Sequence, residues 1–364
     1  VHTWMMAACR PDSRRAVCSA PDPQIENEPP HFVALVHGLD GKADDFLHFG
    51  NVLKRRGLSV LAPNVNDSLG NQVTKLIRFQ PTHEGVSVCA TRLAEFLELA
   101  APSGTKLSVV AHSMGGLIAR EAIAMLEERE FFATRECGYF ITLATPHLGI
   151  RDNPAVIRFA AAVFRSQAGK DLNLDNDTLE NLVRDVALRA LGRFQRLITV
   201  GNLSGDVVVG SRTSLITDQP PDPPARSPEP TARSPDAPGA SPMSPVERVK
   251  SKTLQSVEQL MGQRSPVICP EFSGPEDRLD ALDLSGFSGS QSYLEKVGYI
   301  LRRLCTITAP DGSPRPWTRI AIDGACHVSI IAHFPEDAAE YAQTRGLPVV
   351  EEIAKLFPDE SQPV

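Results

Sequence analysis

Residues Leu107 to Gly116 read LSVVAHSMGG and run directly into LIAREAIAML. An apolar run of buried-strand type therefore meets a helix-like one across Ala111-His112-Ser113-Met114-Gly115, the nucleophile-elbow pattern with Ala in place of its first Gly. A sharp strand-to-helix turn holds its central residue in a strained backbone conformation, so the positions two before and two after must carry small side chains. Ala111 meets that demand less easily than Gly would, and Gly115 meets it fully. The turn also sets Ser113 at a helix N-terminus, where free N–H groups and the helix dipole favour developing negative charge. Ser113 is thereby a candidate nucleophile for acyl transfer. The competing reading is an ordinary connection in which the hydroxyl only caps the helix; the strand run before it and the helix run after it favour the first reading.

A hydroxyl attacks a carbonyl only when a base takes its proton, and the base needs an acid partner to fix its tautomer. For an elbow serine the partners follow in the chain order Ser, Asp or Glu, His. Asp206, in GNLSGDVVV, and His327, in DGACHV, fit that order, and each follows a strand-like run. Both loops fall at the C-terminal edge of the expected sheet, the edge that carries Ser113 and where open α/β folds bind ligands. The oxyanion formed on attack needs two preorganised donors. The turn His37-Gly38-Leu39-Asp40-Gly41 follows a buried run and supplies one, so the expected pair is the N–H of Leu39 and that of Met114.

Other residues compete for these roles. His37 ends a strand run and is expected to orient its loop by hydrogen bonding. His112 adjoins Ser113, should point away from the attack line and is read as packing. His147, in TPHLG, also follows a strand at this edge but comes before the acid in the chain. His333 begins no clear element, and Asp323 lies awkwardly close to His327 on one short loop.

Positioning these groups requires a sheet. HFVALVH (31–37), LSVLA (58–62), KLSVVA (106–111), YFITLA (139–144), RLITV (196–200) and Trp317 to Ile322 are short and apolar enough to be buried strands. Helix-like stretches lie between them, at 44–56, 84–100 and 116–130, and later at 291–304 and 338–357. Alternation of this kind implies a mostly parallel central sheet with helices on both faces. Residues 155–192 break the alternation, with Leu179, Leu182, Val183 and Val186 at helical spacing. We read them as a helical cap near 151–193. From Asp218 to Pro245 Pro, Ser and Ala replace nearly every large apolar residue, so no core can form and a disordered insertion is expected. Its Ser-Pro pairs at Ser227, Ser234, Ser241 and Ser244 are common in any such stretch. The expected hydrolase-like domain thus comprises 31–217 and 246–360.

With 44 acidic and 37 basic side chains among 364 residues, the net charge is −7, which argues against a nucleic-acid binder. No apolar run approaches the roughly 20 residues of a spanning helix. Seven cysteines, odd in number and never spaced Cys-x-x-Cys, suggest neither a disulfide framework nor a zinc site and fit a reducing compartment. Residues 1–30 lack the apolar core of a secretory signal. Arg10, Arg14 and Arg15 resemble a transit peptide, Asp12, Asp22 and Glu26 oppose that, and a disordered tail is expected. Val1 in place of Met leaves the true N-terminus open.

HFVALVHGLDGKADDF, VVAHSMGGLIAREAI, FITLATPHLG and the GDVVV and GACHVSII blocks together resemble the putative serine esterase family of the α/β-hydrolase superfamily, whose members include lipase-like proteins. The resemblance runs from Pro30 to Leu215 and returns at Tyr293 to Ile331, and TPHLG separates the family from generic hydrolases. It implies an α/β-hydrolase fold and an intracellular lipase or esterase with Ser113, Asp206 and His327 as triad. Ala111 stands where Gly is usual and Val209-Gly210 where Val-Pro is usual, which puts loop geometry in question. The expectation is a two-step cleavage of lipid-like esters in lipid metabolism that needs no metal or organic cofactor. The expected location is the cytoplasm or, through peripheral contact, a membrane surface. A thioesterase or acyltransferase with the same triad, and a non-catalytic scaffold recruiting partners through the proline-rich segment, are the alternatives.

Overall fold

The computed structural model describes residues 29–68, 80–151, 166–206, 208–224, 266–325, 327, 329–331 and 346–360. The expected N-terminal tail up to residue 28, most of the proline-rich insertion, the start of the expected cap and His333 lie outside the described residues.

Strands β1 (His31–Val36), β2 (Ser59–Leu61), β3 (Lys106–His112), β4 (Glu136–Leu143), β5 (Arg196–Asn202), β6 (Val267–Ile268) and β7 (Trp317–Asp323) form one sheet in the order β2-β1-β3-β4-β5-β7-β6. All pairings are parallel except β6 with β7. The parallel part follows from the apolar runs. No strand is expected at β6, because two residues carry no readable pattern.

Helices cover both faces, and the side-chain period of two along a strand sorts residues between them. Ala34 and Val36 of β1, with Leu107, Val109 and Ala111 of β3, face one core with α2 (Val86–Ala100) and α3 (Gly115–Glu128). Val33, Leu35 and Val110 face the other core, shared with α1 (Leu47–Arg55) and α9 (Leu347–Ala354). Each fully buried aliphatic side chain contributes roughly 1.5–3 kcal/mol, so a register slip of one residue would be prohibitive.

The described part of the expected cap is three short helices, α4 (Gln167–Leu172), α5 (Thr178–Asn181) and α6 (Asp185–Gly192). Leu172, Leu179, Leu182, Val183 and Leu191 belong to the same core as α2 and α3. Further on, α7 (Ser211–Ser214) precedes the proline-rich region and α8 (Gln291–Leu304) buries Tyr293, Val297, Ile300, Leu301 and Leu304. Asp218, expected to open the disordered insertion, is instead buried and paired with Arg278.

Candidate active site

Ser113 sits between the end of β3 and the start of α3 with φ 55, a left-handed conformation that a non-glycine residue holds only when its surroundings impose it. Its N–H donates to Leu143 O at 2.8 Å, which ties the turn to β4. Neighbouring atoms approach so closely that two positions admit only hydrogen. A Cβ on Gly115 would lie 2.5 Å from the carbonyl oxygens of Val36 and His37, and one on Gly38 would lie 2.7 Å from Ser113 Cβ. Ala111, by contrast, is a regular member of β3, paired with Val36 and Thr142 and packed in the core, so its methyl group fits without distortion.

Ser113, His327 and Asp206 come together across the C-terminal ends of β3, β5 and β7. His327 Nε2 lies 2.9 Å from Ser113 Oγ and Nδ1 lies 3.0 Å from Asp206 Oδ2. With Nδ1–H donating to the carboxylate, Nε2 is free to accept the serine proton. Asp206 is held from behind: Oδ1 accepts the N–H groups of Val208 and Val209 at 2.8 and 2.9 Å, and Oδ2 accepts Asn202 Nδ2 at 2.9 Å. Burial alone would raise its carboxyl, but the facing His327 and these donors outweigh it and hold it below the ordinary carboxylate range. Gly210, where Pro is usual in the resembled family, has φ −70 and ψ 158, a conformation that proline also adopts.

Leu39 lies on the turn after β1, beside the Gly38 that packs on Ser113. Met114 directly precedes α3, where a helix has no internal acceptor for its N–H.

The competing residues have other partners. His147 is wholly buried: Arg120 Nη1 donates to its Nδ1 at 3.3 Å and its Nε2 donates to Thr142 Oγ1 at 2.9 Å. Burial, with the Arg120 charge beside it, pushes its imidazole well below the ordinary histidine value. Burial likewise lowers the Arg120 guanidinium to about 9, still charged at neutral pH. Asp323 accepts the Ser204 hydroxyl, joining the acid loop to the base loop. His37 Nδ1 donates to Gly38 O at 3.0 Å. His112 does more than pack: its Nε2 donates to the main-chain oxygen of His327 at 2.8 Å, with the two rings 4.7 Å apart. No signal in the sequence distinguishes that contact from packing, because the partner is a backbone atom of a distant loop.

A family model described as "Putative serine esterase (DUF676)" matches residues 26–216, just over half of the chain. The chain belongs to that family. Two curated members of the lipase-like group resemble it. "Putative lipase ROG1" of Saccharomyces cerevisiae is 39% identical over 140 residues, 35% of this chain and 20% of that protein. "Putative lipase C4A8.10" of Schizosaccharomyces pombe is 28% identical over 209 residues, 50% of this chain and 26% of that protein. The chain therefore spans a fifth to a quarter of the length of these relatives. Among solved structures, RedJ overlaps 55% of this chain and 82% of its own at 18% identity and a TM-score of 0.32. An extracellular α/β-hydrolase from a Paenibacillus species overlaps 32% and 41% at 14% identity and a TM-score of 0.23. The architecture itself is the mostly parallel central sheet with helices on both faces that the sequence implies. Among the described residues no helix is long and apolar enough to cross a membrane.

Proposed function

We propose that this protein is a serine hydrolase that cleaves carboxylic esters with lipid-like acyl groups by a Ser113-His327-Asp206 triad. The observation that carries the reading is the unbroken hydrogen-bond chain from Ser113 Oγ through both nitrogens of His327 to a carboxylate held by four donors. Ser113 Oγ attacks the ester carbonyl while His327 Nε2 takes its proton, and Asp206 stabilises the imidazolium. The carbonyl oxygen, now negative, is held by the N–H groups of Leu39 and Met114. His327 then returns the proton to the departing alcohol, which leaves an acyl-enzyme. Water attacks that ester with His327 again as base, and the carboxylic acid is released. No residue in this cycle needs a metal or an organic cofactor. The lipid-like acyl class is supported by the lipase names of the two yeast relatives, and peripheral contact with a lipid surface belongs to the same proposal.

A fluorophosphonate probe tests the reading. Wild-type protein is expected to be labelled and Ser113→Ala to be inert; an unlabelled wild type would favour a scaffold instead. Hydrolysis of acyl esters and acyl thioesters of graded length then separates an esterase from a thioesterase, and added alcohols report acyl transfer.

A further inference from the structure

The turn His37 to Gly41, which carries the Leu39 N–H, is not held by its own backbone alone. Its Gly41 N–H donates to Gly38 O at 3.2 Å, a long closure. Asp40 has φ 56, a region that side chains other than glycine rarely adopt. A contact from a distant segment supports that conformation. The short turn of helix Pro81–Glu84 presents Thr82, which is wholly buried, and Thr82 Oγ1 accepts the N–H of Asp40 at 3.0 Å. The next residue, His83, brings Nε2 to 2.8 Å from Asp40 Oδ1, off the line of a straight hydrogen bond. That second contact joins side chain to side chain, so the backbone of the turn is held by the Thr82 hydroxyl. The turn that presents Thr82 is itself fixed to α2 through Glu84 and Arg92, 2.5 Å apart.

The Asp40 N–H is thus turned toward Thr82 and unavailable to an oxyanion. The donor remaining beside it is Leu39, one peptide earlier and next to the Gly38 that touches Ser113. Consecutive peptide planes share a Cα, so fixing the Asp40 N–H fixes how far the Leu39 peptide can rotate. Thr82 is β-branched and buried, which restricts its χ1 and makes Oγ1 a stationary acceptor.

We propose that Thr82 is a positioning residue of the oxyanion hole: through the Asp40 N–H, its hydroxyl aims the Leu39 N–H at the oxygen that becomes negative when Ser113 attacks. This inference rests on the serine-hydrolase reading. It deepens that reading by assigning part of the preorganisation to a residue that touches neither substrate nor triad.

Thr82→Val keeps the shape and removes the acceptor, whereas Thr82→Ser keeps the acceptor. With a short-chain p-nitrophenyl ester, Thr82→Val is expected to lower kcat by about 10- to 100-fold with KM within about twofold, since a misaimed donor fails the transition state and spares the ground state. A boronic acid that forms a tetrahedral adduct on Ser113 should weaken by a similar factor, and Thr82→Ser should recover most of both. A purely structural role would lower the melting temperature without singling out the tetrahedral ligand. Equal kcat in wild type and a folded Thr82→Val overturns the proposal, as does a Thr82→Ser as impaired as Thr82→Val. Should Thr82→Val not fold, hydrogen exchange at the Asp40 amide of wild type decides: protection supports the anchor, and exchange at the free-peptide rate removes it. Failure of wild type to react with a fluorophosphonate would defeat the hydrolase reading by itself, whatever the Asp40 amide shows.

Discussion

Asp206 uses both carboxylate oxygens, one on two backbone N–H groups and one on His327 and Asn202. Asp206→Asn can keep the backbone donors but offers an amide to Nδ1–H, so the imidazole would turn over to the wrong tautomer. Ester hydrolysis should fall by about 10³- to 10⁴-fold. His112 acts one step further out, through the carbonyl oxygen of His327. His112→Phe retains a ring against His327 and loses the donor; we expect acylation to slow by about tenfold, with His112→Gln recovering part of the loss in a stopped-flow assay. An unchanged rate in His112→Phe would return His112 to packing alone.

A single buried relay joins α3 to β4 and β5. Arg120 donates to His147, His147 to Thr142, Thr142 Oγ1 to Thr199 Oγ1 at 3.1 Å, and the Thr199 hydroxyl to Ser214 O. Arg120 Nη2 also donates to Leu182 O at 2.9 Å, which fastens the segment between α5 and α6 onto α3. The relay works only with a neutral His147, because its Nδ1 must accept. Its lowered folded-state value sets the sign of the pH effect. The contribution is complete above the unfolded histidine value of about 6.5 and is lost as pH falls below it, because the unfolded chain takes up the proton more readily. Melting temperature should therefore fall on acidification below about pH 6.5, and His147→Gln, which cannot titrate, should fall less steeply. Parallel pH profiles would remove His147 from the account.

At the scale of the whole molecule, segments far apart in sequence are joined near the proline-rich region. Arg278 donates through both terminal nitrogens to Asp218, at 2.5 and 2.7 Å, and the Asp283 N–H donates to Asp218 at 2.8 Å. Burial would raise the Asp218 carboxyl, but these donors outweigh it and lower it. Its stabilisation is accordingly present above the ordinary carboxylate value of about 3.9 and is lost as pH falls through the lower folded value. Asp218→Asn should cost about 2–3 kcal/mol, less than a wholly enclosed pair, because the Arg278 side chain keeps 33% of its surface in water. Denaturant melts near pH 7 and below pH 3 check this, since the difference from wild type should shrink in acid. Between Asp218 and Arg278 in the chain, β6 pairs with the end of β7, at Ile322 and Asp323, just before the loop that bears His327.

The sequence alone determined the strands other than β6, and the elbow, because these are written in local pattern: apolar runs of strand length, and a small-residue frame around Ser113 that a tight turn demands. It also limited the acid and base to residues after strand ends in a fixed chain order, which points to Asp206 and His327. Only the tertiary structure decided which buried polar group faces which. Thr82 reaches Asp40 from 42 residues away, His112 meets a carbonyl 215 residues away, and Asp323 bonds Ser204 from 119 residues away. The pattern of a chain says that such side chains must be satisfied when buried. Only the closure of the sheet, which sets distances between segments remote in sequence, says by what.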